Sequence, residues 1–233
     1  MSAPSRARAR VRAELTREIL AAAHEELAAG GAAGLSLRAV ARRLQMVPSA
    51  LYRYFPSRDA LLTALIIDAY RAVGEAAAAG LDSPGPAAPA ALDRWLAVAR
   101  GVRVWGHQHP HEWALVYGSP VPGYRAPRDT VDAALVVTRV IADIFTGVTP
   151  ADAAPPPWFP PTPAGLAEIV GPIEAELLPG RRPEVVAAAV VAWTVLLGMV
   201  SFELFGHYVG ATTDFTAFFE YEMRLVAHLV GLA

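Results

Sequence analysis

The sequence predicts an all-α chain in two parts, a basic N-terminal group of three helices and a larger, apolar helical domain behind it. Three observations carry this. Apolar residues recur at three- and four-residue steps along most of the chain. No convincing stretch alternates with the period of two that marks a strand. Clusters of proline and glycine cut the periodic stretches into ordinary helix lengths.

The first helix is read from Val11 to Ala29, where Val11, Leu15, Ile19, Ala22, Ala23 and Leu27 form one stripe that Gly30 and Gly31 end. Ser36 is placed as the N-cap of a short second helix whose Leu37, Val40, Ala41 and Leu44 face inward. After the connection Gln45-Met46-Val47, Pro48 opens a third helix with Leu51 and Phe55 on its core side, and Pro56 stops it. Ser57 caps a fourth helix that carries Leu61, Leu62, Leu65, Ile66, Ala69 and Val73 to about Ala79. The proline- and glycine-rich stretch 80–89 reads as a loop.

A stripe of Trp95, Val98, Val102 and Trp105 marks a fifth helix, and Pro110 restarts a short sixth one through Trp113 and Tyr117. The seventh runs from Asp129 to Thr146. Seven prolines between Pro150 and Pro163 then exclude a helix and predict a long extended loop carrying Trp158 and Phe159. Ala164 to Leu177, Glu184 to His207 and Asp214 to Val230 complete the set. The expected division is 1–56 for the helix-turn-helix, 57–80 for a connecting helix and 81–233 for the C-terminal helical domain.

Composition narrows the function classes. With 54% apolar and 18% charged residues, the 233-residue chain has the makings of a sizeable core. It holds no cysteine, which excludes a disulfide framework and thiolate metal sites. Residues 1–60 hold ten arginines against five acids, a net of +5, whereas the remainder holds ten against seventeen, a net of -7. One end therefore suits an anionic partner. Acids at Glu14 and Glu18 interrupt any signal-peptide core behind the early arginines, so a cytoplasmic protein is expected. The eighteen uncharged residues between Glu184 and Glu203 approach a membrane-spanning length. No basic flank follows them and an amphipathic helix does, so a core and dimer helix is the expected reading, with no membrane partner.

Two short helices joined by a three-residue turn and backed by a first helix have helix-turn-helix geometry, which lowers the second of the pair into a major groove. Pro48, Ser49, Ala50, Tyr52, Arg53 and Tyr54 lie off the Leu51/Phe55 side and offer hydroxyls, a guanidinium and small apolar groups to phosphates and base edges. Ser36 and Ser57 start helices where phosphates dock, with Arg38 and Arg58 beside them. The competing reading is a solvated basic helical surface.

The run Leu35-Ser-Leu-Arg-Ala-Val-Ala-Arg-Arg-Leu44, followed by Val47-Pro-Ser-Ala-Leu-Tyr-Arg-Tyr-Phe-Pro-Ser-Arg-Asp-Ala-Leu61, closely resembles the DNA-binding domain of the tetracycline-repressor (TetR) family. The match covers about residues 11–70. Met46 stands where many members have glycine, and Arg58 where lysine is usual. The resemblance implies phosphate contacts from Tyr52 and Arg58, with Ser49, Ala50, Arg53 and Tyr54 reading bases or lining the groove. The phrases Ala114 to Tyr124 and Gly198 to His207 look like a ligand-domain variety common among actinobacterial members. The family arrangement implies a homodimer through helices 184–207 and 214–230.

The remaining signals concern a ligand. Trp105, Trp113, Tyr117, Trp158, Phe159, Met199, Phe202 and Glu203 are the candidates for a pocket, though such residues also build cores. The expected effector is small and apolar or aromatic, with no cofactor. His107, His109 and His111 are interrupted by Pro110 and read as structural rather than as metal ligands. Glu203 and His207, four apart, would be the acid/base pair of a helical enzyme, an alternative without a nucleophile motif or phosphate loop to support it. The expected function is a repressor, not an enzyme, that binds a pseudo-palindromic operator and is released by the effector. A DNA-binding regulator without an inducer is the other alternative.

Overall fold

The computed structural model describes residues 3–81, 90–146 and 160–232, and among these it has ten helices and no strand. They are α1 (Ala3–Gly34), α2 (Leu37–Arg43), α3 (Pro48–Leu51), α4 (Arg58–Leu81), α5 (Ala91–Gln108), α6 (Pro110–Tyr117), α7 (Asp129–Thr146), α8 (Leu166–Leu177), α9 (Pro183–Leu204) and α10 (Phe215–Leu229). The all-α class with an N-terminal helix-turn-helix is therefore as expected. The chain packs as two units, Met1–Ala69 with His109–Ala133, and Tyr70–Gln108 with Ala134–Ala233.

In the first unit, Ile19, Ala23 and Leu27 of α1, Val40 and Ala41 of α2, Leu51 at the end of α3, and Leu61, Leu62 and Leu65 of α4 are almost wholly buried. Each belongs to a stripe legible in the sequence, so burial of these stripes brings the helices together. Trp113 of α6 is fully buried and Glu112 reaches His24 of α1, so the stretch His109–Ala133 packs with the N-terminal helices. Thr63 and Tyr124 share a hydroxyl hydrogen bond of 2.9 Å.

The helix ends have identifiable causes. α1 begins eight residues before its apolar stripe, and its backbone leaves helical geometry at Gly31 (φ 64°, ψ 177°). α2 ends in a Schellman motif, in which the Met46 N–H donates to Ala41 O at 2.8 Å and the Gln45 N–H to Arg42 O at 3.1 Å. The left-handed position is Gln45 (φ 55°), one residue before Met46. Pro48 stands in the first turn of α3, as expected. α-helical geometry ends at Leu51, and the chain continues to Phe55 in turns, with the Arg53 and Tyr54 N–H groups donating three residues back. Ser57 accepts the Ala60 N–H at 3.0 Å and so caps α4.

In the second unit, Trp95 of α5 is buried and donates its indole N–H to Met223 O of α10 at 2.8 Å. α4 and α5 approach closely across small residues: a Cβ on Gly101 would lie 2.3 Å from Ala76 O, and one on Gly80 2.4 Å from Ala97 O. α9 ends at Leu204, three residues earlier than expected, because Gly206 adopts φ 78° and closes a second Schellman motif, with the His207 N–H donating to Phe202 O. Asp214 caps α10 by accepting the Ala217 N–H at 3.0 Å. α9 is one helix long and apolar enough to cross a membrane, and 44% of its most apolar window is buried.

Candidate nucleic-acid interface

A helix of four residues has no stability of its own, so neighbouring groups must fix α3 in place. On its inner side Leu51 is fully buried and Phe55 nearly so. On its outer side Pro48, Ser49, Tyr52 and Arg53 are exposed, while Ala50 and Tyr54 are half-buried. The six candidate reading residues therefore share one short segment, and the four most accessible of them offer a guanidinium, a phenol and an aliphatic hydroxyl to a groove.

Two arginines flank this segment. Arg12 of α1 stacks its guanidinium over the Tyr54 ring, 5.1 Å from the centroid, and reaches Arg53 O at 3.5 Å. Arg58, at the start of α4, donates Nε to Leu35 O at 3.1 Å and Nη2 to Ala32 O at 2.6 Å, and it lies 3.8 Å from Asp59. It thereby clamps the connection between α1 and α2. Ser36 is the N-cap residue of α2 but makes no side-chain capping bond, and Arg38 is exposed beside it. Arg43 is taken by Glu25 and Glu26 of α1 at 2.7 Å each.

Behind the reading face, His24 of α1 stands 3.0 Å from Asp68 of α4 and 3.2 Å from Glu112 of α6. Burial alone would push the imidazolium pKa down, but the hydrogen bonds to Asp68 and Glu112, with their charges, raise it from 6.5 to about 9. The bond from His24 in turn holds the Glu112 carboxyl below the usual carboxylate range, against the opposing effect of burial. A charged triad of this kind ties α6 to α1 and α4. Sequence spacing gave no sign of it.

The candidate ligand residues fall in different places. Trp113 and Tyr117 of α6 pack ring on ring at 4.6 Å in the first unit. In the second, Trp105 is buried and borders an open groove of about 470 Å³ with Ala76, Gly101 and Val104. Met199 is buried and accepts the Tyr208 hydroxyl at 3.0 Å, whereas Phe202 is half exposed. Glu203 receives a bidentate bond from Arg103 at 2.7 and 2.8 Å and lies 2.9 Å from His107. Burial would raise its pKa, yet the bonds from Arg103 and then His107 hold it below the usual range. His207 packs against the Phe202 ring at 4.8 Å, beyond the turn at Gly206. Trp158 and Phe159 lie outside the described residues.

An apolar cavity of about 270 Å³ lies elsewhere in the second unit, lined by Pro160, Pro161, Pro163, Leu166, Ala188, Val191 and Leu229 among others. Its one charged lining residue, Glu184, is occupied by Thr162 and Arg182.

A three-helix arrangement that presents a short polar helix after a tight turn, followed along the chain by further helices, defines a DNA-binding transcriptional regulator of the helix-turn-helix class. The profile described as "Bacterial regulatory proteins, tetR family" matches residues 19–65, and that described as "Tetracyclin repressor-like, C-terminal domain" matches residues 95–226. The HTH-type transcriptional regulators Rv1816 of Mycobacterium tuberculosis and Mb1846 of Mycobacterium bovis are each 38% identical to this chain over 226 residues, covering 94% of either partner. The crystal structure of regulatory protein SCO4313 is 32% identical with a TM-score of 0.75, covering 94% of this chain and 98% of that one. A bacterial regulatory protein in the tetR family from Rhodococcus RHA1, 19% identical, shares the fold with a TM-score of 0.56 over 94% of this chain and 97% of its own. The chain belongs to the TetR family of bacterial transcriptional regulators.

Proposed function

We propose that this regulator is a cytoplasmic, ligand-responsive repressor, without enzymatic activity, that binds a pseudo-palindromic operator as a homodimer. The observation that carries the reading is the exposed surface of Ser49, Tyr52 and Arg53 on a helix whose inner side is buried. Arg53 is assigned to base edges and Tyr52 to phosphate, with Ser49, Ala50 and Tyr54 lining the groove. Ser36, Arg38, Pro48, Ser57 and Arg58 border the same surface.

The homodimer is supported by an unpartnered apolar face. Val191, Phe202 and Phe205 on and just after α9, and Tyr221, Leu225 and Leu229 on α10, are each between 39% and 64% exposed. Their spacings, eleven and three residues along α9 and its end and four and four along α10, place them on one stripe per helix. Two such stripes from each subunit make a four-helix interface. It would cover the part of α9 that its own chain leaves exposed.

The 270 Å³ cavity supports an apolar effector at the small end of ordinary ligand sites. Val191 and Leu229 stand both on its rim and on the dimer stripe, so a partner subunit would wall it. α4 belongs to the first unit up to Ala69 and to the second from Tyr70, which makes it one of three covalent connections, with those at Gln108–His109 and Ala133–Ala134, through which effector binding would change the spacing of two reading heads. Only an effector that prefers the DNA-incompetent spacing releases the operator.

Fluorescence anisotropy with the protein's own upstream DNA and a scrambled duplex, at two salt concentrations, tests the reading. Tight, salt-sensitive and sequence-selective binding is expected, and Arg53→Ala should lose about 1–3 kcal/mol of it. Equal, weak binding to both duplexes, repeated with DNA selected from a random pool, would refute it.

A further inference from the structure

We propose that the N-terminal stretch of α1 is a second DNA-contact element, in which Arg8 extends the reading surface of α3 onto phosphates flanking each half-site. The proposal rests on the DNA-binding reading above and adds a surface to it.

The helix begins at Ala3, although its apolar stripe begins only at Val11. Residues 6–14 are all exposed, so burial does not explain that stretch as packing. Up to Ala13 the chain carries Arg6, Arg8, Arg10 and Arg12 and no acidic residue. Arg12 fixes the orientation of this stretch, because its guanidinium lies over Tyr54 and touches Arg53 O, both on the reading segment. Arg8 precedes Arg12 by four residues, hence stands on the same side of the helix and about 6 Å further along its axis. Arg6 and Arg10 lie on a second stripe, in register with Arg17. An arginine row that runs outward from the reading helix with no intervening carboxylate suits one partner above others, the phosphate backbone of duplex DNA beyond the bases that α3 reads. An anionic membrane surface fits less well, since these turns carry no apolar face to insert.

The test uses the full-length protein and the duplex recovered by selection from a random pool, in two lengths: the palindromic core alone, and the core with about ten flanking base pairs on each side. Affinity is measured by anisotropy over a salt series. Loss of one phosphate contact per subunit lowers the slope of log affinity against log salt by about 0.9 each, so Arg8→Ala should lower it by about 1.8 in a dimer on the long duplex. Arg8→Lys should retain most of the slope. The triple variant Arg6→Ala, Arg8→Ala, Arg10→Ala should bind both lengths alike while still preferring the selected core over a scrambled one. Far-UV helicity and the urea midpoint should remain near wild type, since these side chains are exposed. Selective wild-type binding together with an unchanged slope in the triple variant overturns this proposal alone. Absence of selective binding by the wild-type protein overturns the DNA-binding reading and this proposal with it.

Discussion

Replacing His24 by glutamine removes a cation held between Asp68 and Glu112. The folded-state pKa of His24 is raised from 6.5 to about 9, so its stabilising contribution is fully present below about pH 6.5 and is lost as pH rises through 9. At 1.36 kcal/mol for each tenfold change in proton affinity, that interval corresponds to about 3 kcal/mol. The His24 side chain is 22% exposed and Asp68 53%, and solvent screening of the Asp68 arm reduces the figure to about 2 kcal/mol. With a urea dependence of about 2 kcal/mol per molar, the difference between wild type and His24→Gln should be about 1 M in midpoint at pH 6 and close to zero at pH 9.5. Glu112→Gln should bring the His24 titration, followed through its ring protons by NMR, back toward 6.5. If wild type and His24→Gln lose stability in parallel between pH 6.5 and 9, the ion pair contributes nothing and the reasoning fails.

Gly101→Ala should destabilise the protein by about 2 kcal/mol or more, because the new Cβ would meet the Ala76 backbone oxygen at 2.3 Å and force α4 and α5 apart. Gly171→Ala, with open space around the added carbon, is the control, and a thermal melt in which both behave alike would count against the close crossing. Gln45→Gly should stabilise by about 0.5–1 kcal/mol by relieving a left-handed residue in the turn before α3, read as a rise in urea midpoint with operator affinity retained. The pair Leu225→Asp and Leu229→Asp should give a monomer in sedimentation that no longer binds the two-half-site duplex. A dimer that survives both changes would place the interface elsewhere.

What the sequence disclosed, and what it did not, follows from the range of the interactions involved. Pro48 opening α3, Ser57 capping α4 and Pro110 starting α6 are local signals, each a matter of a missing N–H or a side chain that reaches three residues along. The end of α9 is equally local: Gly206 ends the helix at Leu204, three residues short of His207, within a stretch whose apolar periodicity alone predicts helix to His207. The start of α1 at Ala3 is not legible, because a stretch of arginines and alanines has no apolar stripe to count. The end of α3 is equally hidden, because Leu51 and Phe55, four apart, fit an α-helix as well as they fit the turn they occupy.

The partners of charged residues were illegible for a different reason. Glu203 has a histidine four residues on, and local spacing offered His207 as its partner, yet the chain reverses at Gly206 and Glu203 meets Arg103, a hundred residues earlier. His24, Asp68 and Glu112 lie on three helices, and no periodicity joins them. Long-range ion pairs are set by packing already decided elsewhere, so a single sequence holds their components without their pairing.

The same distinction explains how a four-residue helix serves as a reading element. Burial of Leu51 and Phe55 determines which side of α3 faces inward, but two apolar anchors leave the segment free to rock about its own axis. The remaining restraints lie to either side. The Schellman turn with Gln45 fixes the entry, the guanidinium of Arg58 holds the α1–α2 connection through Leu35 O and Ala32 O, and Arg12 lies across Tyr54 at the exit. Arg58 thus has a structural use at the position where the family resemblance implies a phosphate contact, and the two roles are compatible. In the proposed complex, a cation already anchored by two carbonyls would cost less to order at a phosphate than a freely rotating one, and the same side chain would serve both the scaffold and the DNA.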